Sequence, residues 1–306
     1  MYYFIINPKS RSGAGASMWQ KVQELLLTSK VRYRAFFTKY PGHAASLAAH
    51  ISDHLKTGDI ITVLGGDGTL NEVINGFKYP EITTLAYIPT GSGNDFARGM
   101  GLKTDLKSAV HSILNPSKIR KLDICQCSTA EGANRFAISS GMGLDAGICF
   151  EALTSPLKGF LNKIKLGKLT YTMIALRQLI FFRPFSLKLI TDDNQKESYK
   201  KVYFITAMNL KYEGGGFQFC PHASSSDGYL DLFLVYGLSK LKILFLLPTA
   251  FFGRHTGFKG VKLLRCRSAR FLSDKKLPVH IDGESAGLSR HVQVSASDKQ
   301  LNVIVQ

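Results

Sequence analysis

The spacing of apolar and polar positions changes character near Asp123. Before that point, short apolar runs alternate with helically spaced ones. Tyr2–Ile6 is an apolar run closed by Asn7-Pro8, which predicts a strand. Met18, Val22, Leu25 and Leu26 then recur at helical spacing. Val31–Phe37 alternates and is rich in aromatics, predicting a second strand, and Ala44–Leu55 returns to the helical period. Asp59–Leu64 is aliphatic without alternation, as a strand covered on both faces requires. Gly65-Gly66 ends that run. A helix is expected over Thr69–Phe77, a strand over Thr84–Ile88, and helices over Phe96–Met100 and Leu106–Leu114. This βαβα order predicts a parallel sheet with helices on both faces, occupying residues 1–122.

From Asp123 to 289 the pattern is one of short strands separated by turn residues. The strands are expected at Phe136–Ser140, Ser186–Ile190, Lys201–Met208, Tyr229–Val235, Val261–Cys266 and Leu277–Ile281. Asp192-Asp193-Asn194, Gly214-Gly215-Gly216 and Asp227-Gly228 punctuate them. Two helices interrupt, near Gly147–Leu153 and Leu169–Phe182. An antiparallel β domain follows. A last strand, Leu301–Val305 within 290–306, suits either half.

Composition narrows the class. With 45% hydrophobic and 20% charged residues the chain is globular, not disordered. No uncharged apolar run approaches the roughly 20 residues of a spanning helix. Arg177 breaks Leu169–Phe182, and Ile243–Gly253 is too short. Met1-Tyr-Tyr-Phe-Ile-Ile-Asn-Pro8 reads as a strand and not as a secretory leader, so a cytoplasmic protein is expected. Five scattered cysteines (Cys125, Cys127, Cys149, Cys220, Cys266) form no disulfide or zinc pattern and read as reduced thiols. The net charge of +17 is unevenly spread. Residues 152–191 hold no acid and seven basic residues, among them Lys158, Lys163, Lys165, Lys168, Arg177, Arg183 and Lys188. Residues 232–273 hold no acid and eight: Lys240, Lys242, Arg254, Lys259, Lys262, Arg265, Arg267 and Arg270. Interleaved with apolar side chains, such stretches suit an anionic membrane surface or nucleic acid.

Three glycine-bearing turns each follow a predicted strand of the first half. They are Asn7-Pro-Lys-Ser-Arg-Ser-Gly-Ala-Gly15, Gly65-Gly-Asp-Gly-Thr-Leu-Asn-Glu72 and Pro89-Thr-Gly-Ser-Gly-Asn-Asp-Phe-Ala-Arg98. Ligands of open parallel sheets bind beyond the carboxyl ends of the strands. Turns of this composition expose backbone N–H groups and hydroxyls there, and the helix after Gly68 aims its positive end at them. Together they point to a polyphosphate. Neither a Walker phosphate loop nor a dinucleotide fingerprint is present, so a nucleotide would bind in another way.

The strand followed by Gly65-Gly-Asp-Gly-Thr69 resembles the signature of the superfamily joining diacylglycerol, sphingosine and NAD kinases. With Pro89-Thr-Gly-Ser-Gly-Asn-Asp-Phe-Ala-Arg98, the opening Asn7-Pro-Lys-Ser10, Ser226-Asp227-Gly-Tyr-Leu-Asp-Leu232 and Ile281-Asp-Gly-Glu284, the chain is most similar to bacterial diacylglycerol-kinase-like lipid kinases. The motifs span the whole chain in order. One departure is Arg11, where many relatives place a glycine after the serine.

The resemblance implies an NAD-kinase-like α/β domain, a C-terminal β-sandwich lipid-substrate domain, and a site in the cleft between them. It implies transfer of the γ-phosphate of ATP to a lipid hydroxyl, diacylglycerol first, with Mg2+. Asn7, Pro8, Lys9, Ser10, Arg11, Thr38, Gly66, Asp67, Gly68, Thr69, Leu70, Asn71, Glu72 and Thr90 would surround ATP. Glu284 would be the general base, with Asp67 and Asp95 as acidic active-site residues and Asp123 in their magnesium–water network. Asp227 would hold a structural magnesium with carbonyls at Ser224 and Tyr229. Read from local chemistry alone, Asp282-Gly283 is a hairpin turn, Asp95 also suits a helix cap, and His280 is a packed strand residue. The expected partners are a lipid substrate and an anionic membrane surface bound peripherally, with no nucleic acid; a homodimer is compatible. The rival readings are an NAD kinase and a non-catalytic lipid- or nucleic-acid-binding protein on a degenerate kinase fold.

Overall fold

Four short strands of the first half lie parallel: β1 (Tyr2–Ile6), β2 (Tyr33–Phe37), β3 (Ile60–Gly65) and β4 (Thr84–Pro89), ordered β4-β3-β1-β2. The computed structural model describes residues 1–91, 93–154, 167–192 and 195–305. Ser92, Lys158, Lys163, Lys165 and the Asp193-Asn194 turn tip lie outside the described residues. Helices α1 (Ser10–Thr28), α2 (His43–Ser52), α3 (Asp67–Gly76), α4 (Asp95–Met100) and α5 (Leu106–Leu114) connect or follow the strands. Successive residues of a strand point to opposite faces, and both faces are covered here. Tyr3, Ile5, Ile61, Val63 and Leu85 pack with Ala48, Ile51 and Val73 on one side. Phe4, Ile6, Leu64 and Ile88 pack with Trp19, Val22, Leu26 and Val110 on the other. Double coverage is why Asp59–Leu64 shows no alternation.

The second half is antiparallel. Its elements are β5 (Ile119–Thr129), β6 (Gly132–Phe136), β7 (Ser139–Gly143), α6 (Leu144–Thr154), α7 (Gly167–Phe181), β8 (Phe185–Thr191), β9 (Lys196–Met208), β10 (Leu230–Tyr236), α8 (Lys240–Ala250), β11 (Val261–Cys266), β12 (Ser268–Ile281) and β13 (Glu284–Ile304). The main path runs β11-β10-β9-β7-β12-β13, with β8 bridging β12 and β9, and β5 pairing β13 and β6. Met142, Leu187, Leu189, Ile205, Leu232, Phe271, Val292 and Val294 fill the interior of this β-sandwich.

β13 ties the halves together. It runs antiparallel to β12 and β5, and its end pairs parallel to β4 through Asn302–Thr84 and Val303–Leu85. The expected last strand is thus the end of a 21-residue one, and the expected 122/123 boundary falls inside β5. The expected strand Phe136–Ser140 is in fact the end of β6 and the start of β7. The backbone is diverted at Ala137–Ser139, where its N–H groups turn to the Asp282 carboxylate instead of a ladder partner. Helix α8 is an element the sequence reading did not anticipate.

Candidate active site

The three glycine-bearing turns meet at the carboxyl ends of the parallel strands. Asn7 N–H donates to Leu64 O, Thr38 N–H to Ile6 O and Thr90 N–H to Gly65 O, at 2.9, 2.9 and 2.8 Å. Hydroxyls and amides cross-link them. Asn7 Nδ2 donates to Thr69 Oγ1 (2.9 Å), Ser10 Oγ to Asn7 O (2.9 Å) and Thr90 Oγ1 to Ser10 Oγ (2.7 Å). Lys9 N–H donates to Asn7 Oδ1, and Pro8 O accepts from Ala16 N–H at the start of α1. Gly66 precedes α3 with no side-chain cap on the helix, so the first N–H groups of α3 are left for an anion. Gly66 and Gly91 sit back to back: a Cβ on Gly66 would lie 3.6 Å from the Gly91 Cα. The backbone there is open to a ligand. Arg11 holds φ +49°, the left-handed region that favours glycine, so the departure from the family pattern is a strained one.

Not every expected residue turns its side chain to this surface. Leu70 is 1% exposed and belongs to the core. Asn71 Nδ2 donates to Arg135 O and to Asp282 Oδ2, and Glu72 accepts the Ala44 N–H at the start of α2. These three side chains are taken up by the fold.

The acidic residues form a layered group. Asp67 Oδ2 accepts the Asp95 N–H at 3.0 Å, and Tyr87 donates its hydroxyl to Asp67 Oδ1 at 3.3 Å. Asp95 is pinned by Arg98 Nη1 (2.6 Å) and by the Gly215 N–H (2.8 Å), which comes from the loop between β9 and β10. A Cβ on Gly93 would stand 3.5 Å from Asp67 Oδ2 and 3.6 Å from Asp95 Oδ2, so both carboxylates face that turn. Burial, then the Asp95 charge, pushes Asp67 up to about 6. Burial also raises Asp95, against the Gly215 N–H and the Arg98 guanidinium.

Glu284 reaches this group from the other half. Asp282 (φ +49°) and Gly283 (φ +84°) are both left-handed, as a two-residue type I′ hairpin requires, and Ile281 pairs Glu284 across the turn. Glu284 is therefore the first residue of β13, and its Oε1 lies where a Cβ on Gly68 would project. Asp282 is more than a turn former. It is buried and accepts N–H groups of Ala137, Ile138 and Ser139 at 2.8–3.0 Å, besides the Asn71 amide. It clamps α3 to the β6–β7 corner and so holds the hairpin against the phosphate turn.

Behind the hairpin lies a buried group that the sequence reading missed. His280 Nε2 is 3.3 Å from Asp145 Oδ2 and 3.3 Å from Glu213 Oε1. Burial works against the imidazolium, but the Glu213 and Asp145 carboxylates outweigh it and push His280 up to about 9. Burial pushes Glu213 up to about 7, with His280 opposing. The signal was available: Asp145 closes Gly141-Met-Gly-Leu-Asp145, and Glu213 precedes the glycine triplet.

Two residues expected near magnesium have protein partners in this structure. The Asp123 carboxylate accepts from Gly228 N–H and Gln300 Nε2, both at 2.7 Å. Asp227 is an ion-pair residue: Arg265 Nη2 sits 2.7 Å from Oδ2, Tyr229 N–H donates to Oδ1, and the guanidinium stacks 4.5 Å over the Tyr229 ring. The Arg265 guanidinium thus takes one oxygen of the carboxylate expected to hold the structural magnesium. Asp67 has only a phenol and an amide as donors and no side-chain cation on it, so its carboxylate could hold a divalent cation.

Comparison with known proteins agrees with this fold. Residues 1–127 match the diacylglycerol kinase catalytic domain, and residues 156–305 match the YegS C-terminal NAD kinase beta sandwich-like domain. A Bacillus subtilis protein named "Putative lipid kinase YtlR" is 32% identical over 292 residues, covering 94% of each chain. A Mycobacterium tuberculosis "Diacylglycerol kinase" is 28% identical over 246 residues, covering 78% of this chain and 76% of that one. The crystal structure of "a putative diacylglycerol kinase from Bacillus anthracis str. Sterne" aligns with a TM-score of 0.78 at 23% identity, covering 100% of this chain and 95% of that one. At that identity the structural likeness speaks for the fold alone.

Proposed function

Since the chain belongs to the diacylglycerol-kinase-like lipid kinases, we propose that it transfers the γ-phosphate of ATP to the hydroxyl of diacylglycerol, giving phosphatidic acid. One observation carries this reading. The β12–β13 hairpin brings the Glu284 carboxylate against Gly68, in the first turn of the helix that faces the phosphates.

The backbone N–H groups at the start of α3, with the Ser10 and Thr90 hydroxyls, bind and orient the triphosphate. Glu284 accepts the proton of the lipid hydroxyl as its oxygen bonds to the γ-phosphorus. The bond from that phosphorus to the β–γ bridging oxygen breaks, and ADP leaves. Magnesium, held by Asp67 with the phosphates, would supply neutralisation of the charge on the transferring group. Arg98 and Gly215 keep Asp95 oriented beside it. The buried His280 group supports the strand from which Glu284 emerges.

The test is transfer from labelled ATP, with magnesium, to diacylglycerol dispersed in detergent. Label should enter the organic phase. Glu284→Gln should lower kcat by about 10²-fold or more with ATP affinity little changed. Near-full turnover in that variant would remove Glu284 as the base, and label appearing on added NAD instead would replace the acceptor.

A further inference from the structure

Helices α7 and α8 display apolar side chains where a water-soluble surface would display polar ones. On α8 the exposed positions Leu241, Leu244, Phe245 and Pro248 follow i, i+3, i+4, i+7, so one whole face of the helix is apolar and uncovered. Ile243 and Ala250 supply a second, buried apolar face. Phe245 is 72% exposed, and so is Phe252 in the turn that follows. On α7 the exposed positions Met173, Leu176 and Ile180 repeat i, i+3, i+7, and Phe181 extends them at 75% exposure. The two helices meet at one end, where Lys240 Nζ donates to Ile180 O.

The rim is basic. Arg183, Lys242, Arg254 and Lys259, which flank these side chains in the sequence, are exposed, and residues 232–273 contain no acid. Both helices also lead to the site. Gln178 of α7 bonds to Glu151 of α6, the helix that begins beside Asp145. Phe251 after α8 stacks on Phe217 at 3.9 Å, and the loop holding Phe217 also holds Gly215, the donor to Asp95.

We propose that the exposed faces of α7 and α8, with the turn through Phe252, form a surface that inserts shallowly into an anionic bilayer and seats the active-site cleft on it. The proposal deepens the lipid-kinase reading and rests on it for the choice of partner. A second copy of the chain is the poorer occupant: a self-complementary contact would gather the basic rims of both copies around one apolar patch. An anionic bilayer satisfies the apolar centre and the basic rim together.

The experiment is co-sedimentation of the full chain with phosphatidylcholine vesicles, with and without phosphatidylglycerol, over a salt series. Wild type should bind only the phosphatidylglycerol vesicles strongly, and binding should fall as salt rises. Phe245→Ser with Phe252→Ser should weaken binding at least about tenfold at every salt concentration. Lys242→Gln with Lys259→Gln should weaken it chiefly at low salt. Transfer from ATP to a short-chain diacylglycerol in free solution should stay within about twofold of wild type in both double variants. Vesicle binding by the double phenylalanine variant equal to wild type overturns the proposal. So does a lipid-free dimer, seen by sedimentation equilibrium, that this variant dissociates. If wild type binds vesicles as expected yet transfers no phosphate to diacylglycerol, either in free solution or in those vesicles, the lipid-kinase reading fails and the docking surface stands.

Discussion

Asp67 shows how a single residue holds opposing demands. Its carboxyl is raised to about 6, so between about pH 4 and pH 6 the unfolded chain releases this proton while the folded chain retains it. The unfolded state then binds fewer protons, and stability falls as pH rises through that window. Above it the ionised Asp67 costs the fold ~1–3 kcal/mol. Asp67→Asn should therefore melt a few degrees above wild type at pH 8 and converge with it near pH 4, while turnover drops by about 10²-fold or more. Thermal melts at the two pH values check this; a variant less stable than wild type at pH 8 would make Asp67 a structural residue. Asp282 is the contrast. Its bonds to three consecutive N–H groups and an amide make it a clamp, and it has no need to face a ligand.

At the scale of elements, two glycine turns leave space where side chains would otherwise project. A methyl group on Gly66 would meet Gly91 Cα only at 3.6 Å, an ordinary contact, and φ at Gly66 is −92°. Gly66→Ala should therefore fold with an unchanged Tm yet bind ATP at least about tenfold more weakly, because the added Cβ occupies the approach to the N–H groups of α3. Calorimetric titration with ATP measures this, and unchanged affinity would move the phosphates off this turn. The β12–β13 hairpin is the complementary element. Its Asp-Gly turn fixes register, and register decides that Glu284, not Ser285, faces Gly68.

At the scale of the whole molecule, β13 makes the two halves one folding unit. Leu301 and Val303, both fully buried, belong to the core of the first half, while Val292 and Val294 belong to the interior of the second. A chain ending at Asp298 should lose cooperative unfolding altogether, and a soluble product melting within a few degrees of wild type would contradict this. The βαβα order, the turns at Asn7, Gly66 and Thr90, and the Asp-Gly hairpin before Glu284 were legible in the sequence. Each is set by local physics: apolar period, helix start, turn conformation. The convergence of Asp145, Glu213 and His280 was not legible, nor was the burial of Asp282 or the pairing of Asp227 with Arg265. Those depend on long-range strand pairing that no local pattern encodes. The docking face was half legible. Its basic, acid-free stretches stand in the sequence, but an apolar helix reads the same whether a neighbour covers both its faces or only one, and the packing of α8 decided which side chains stay outside.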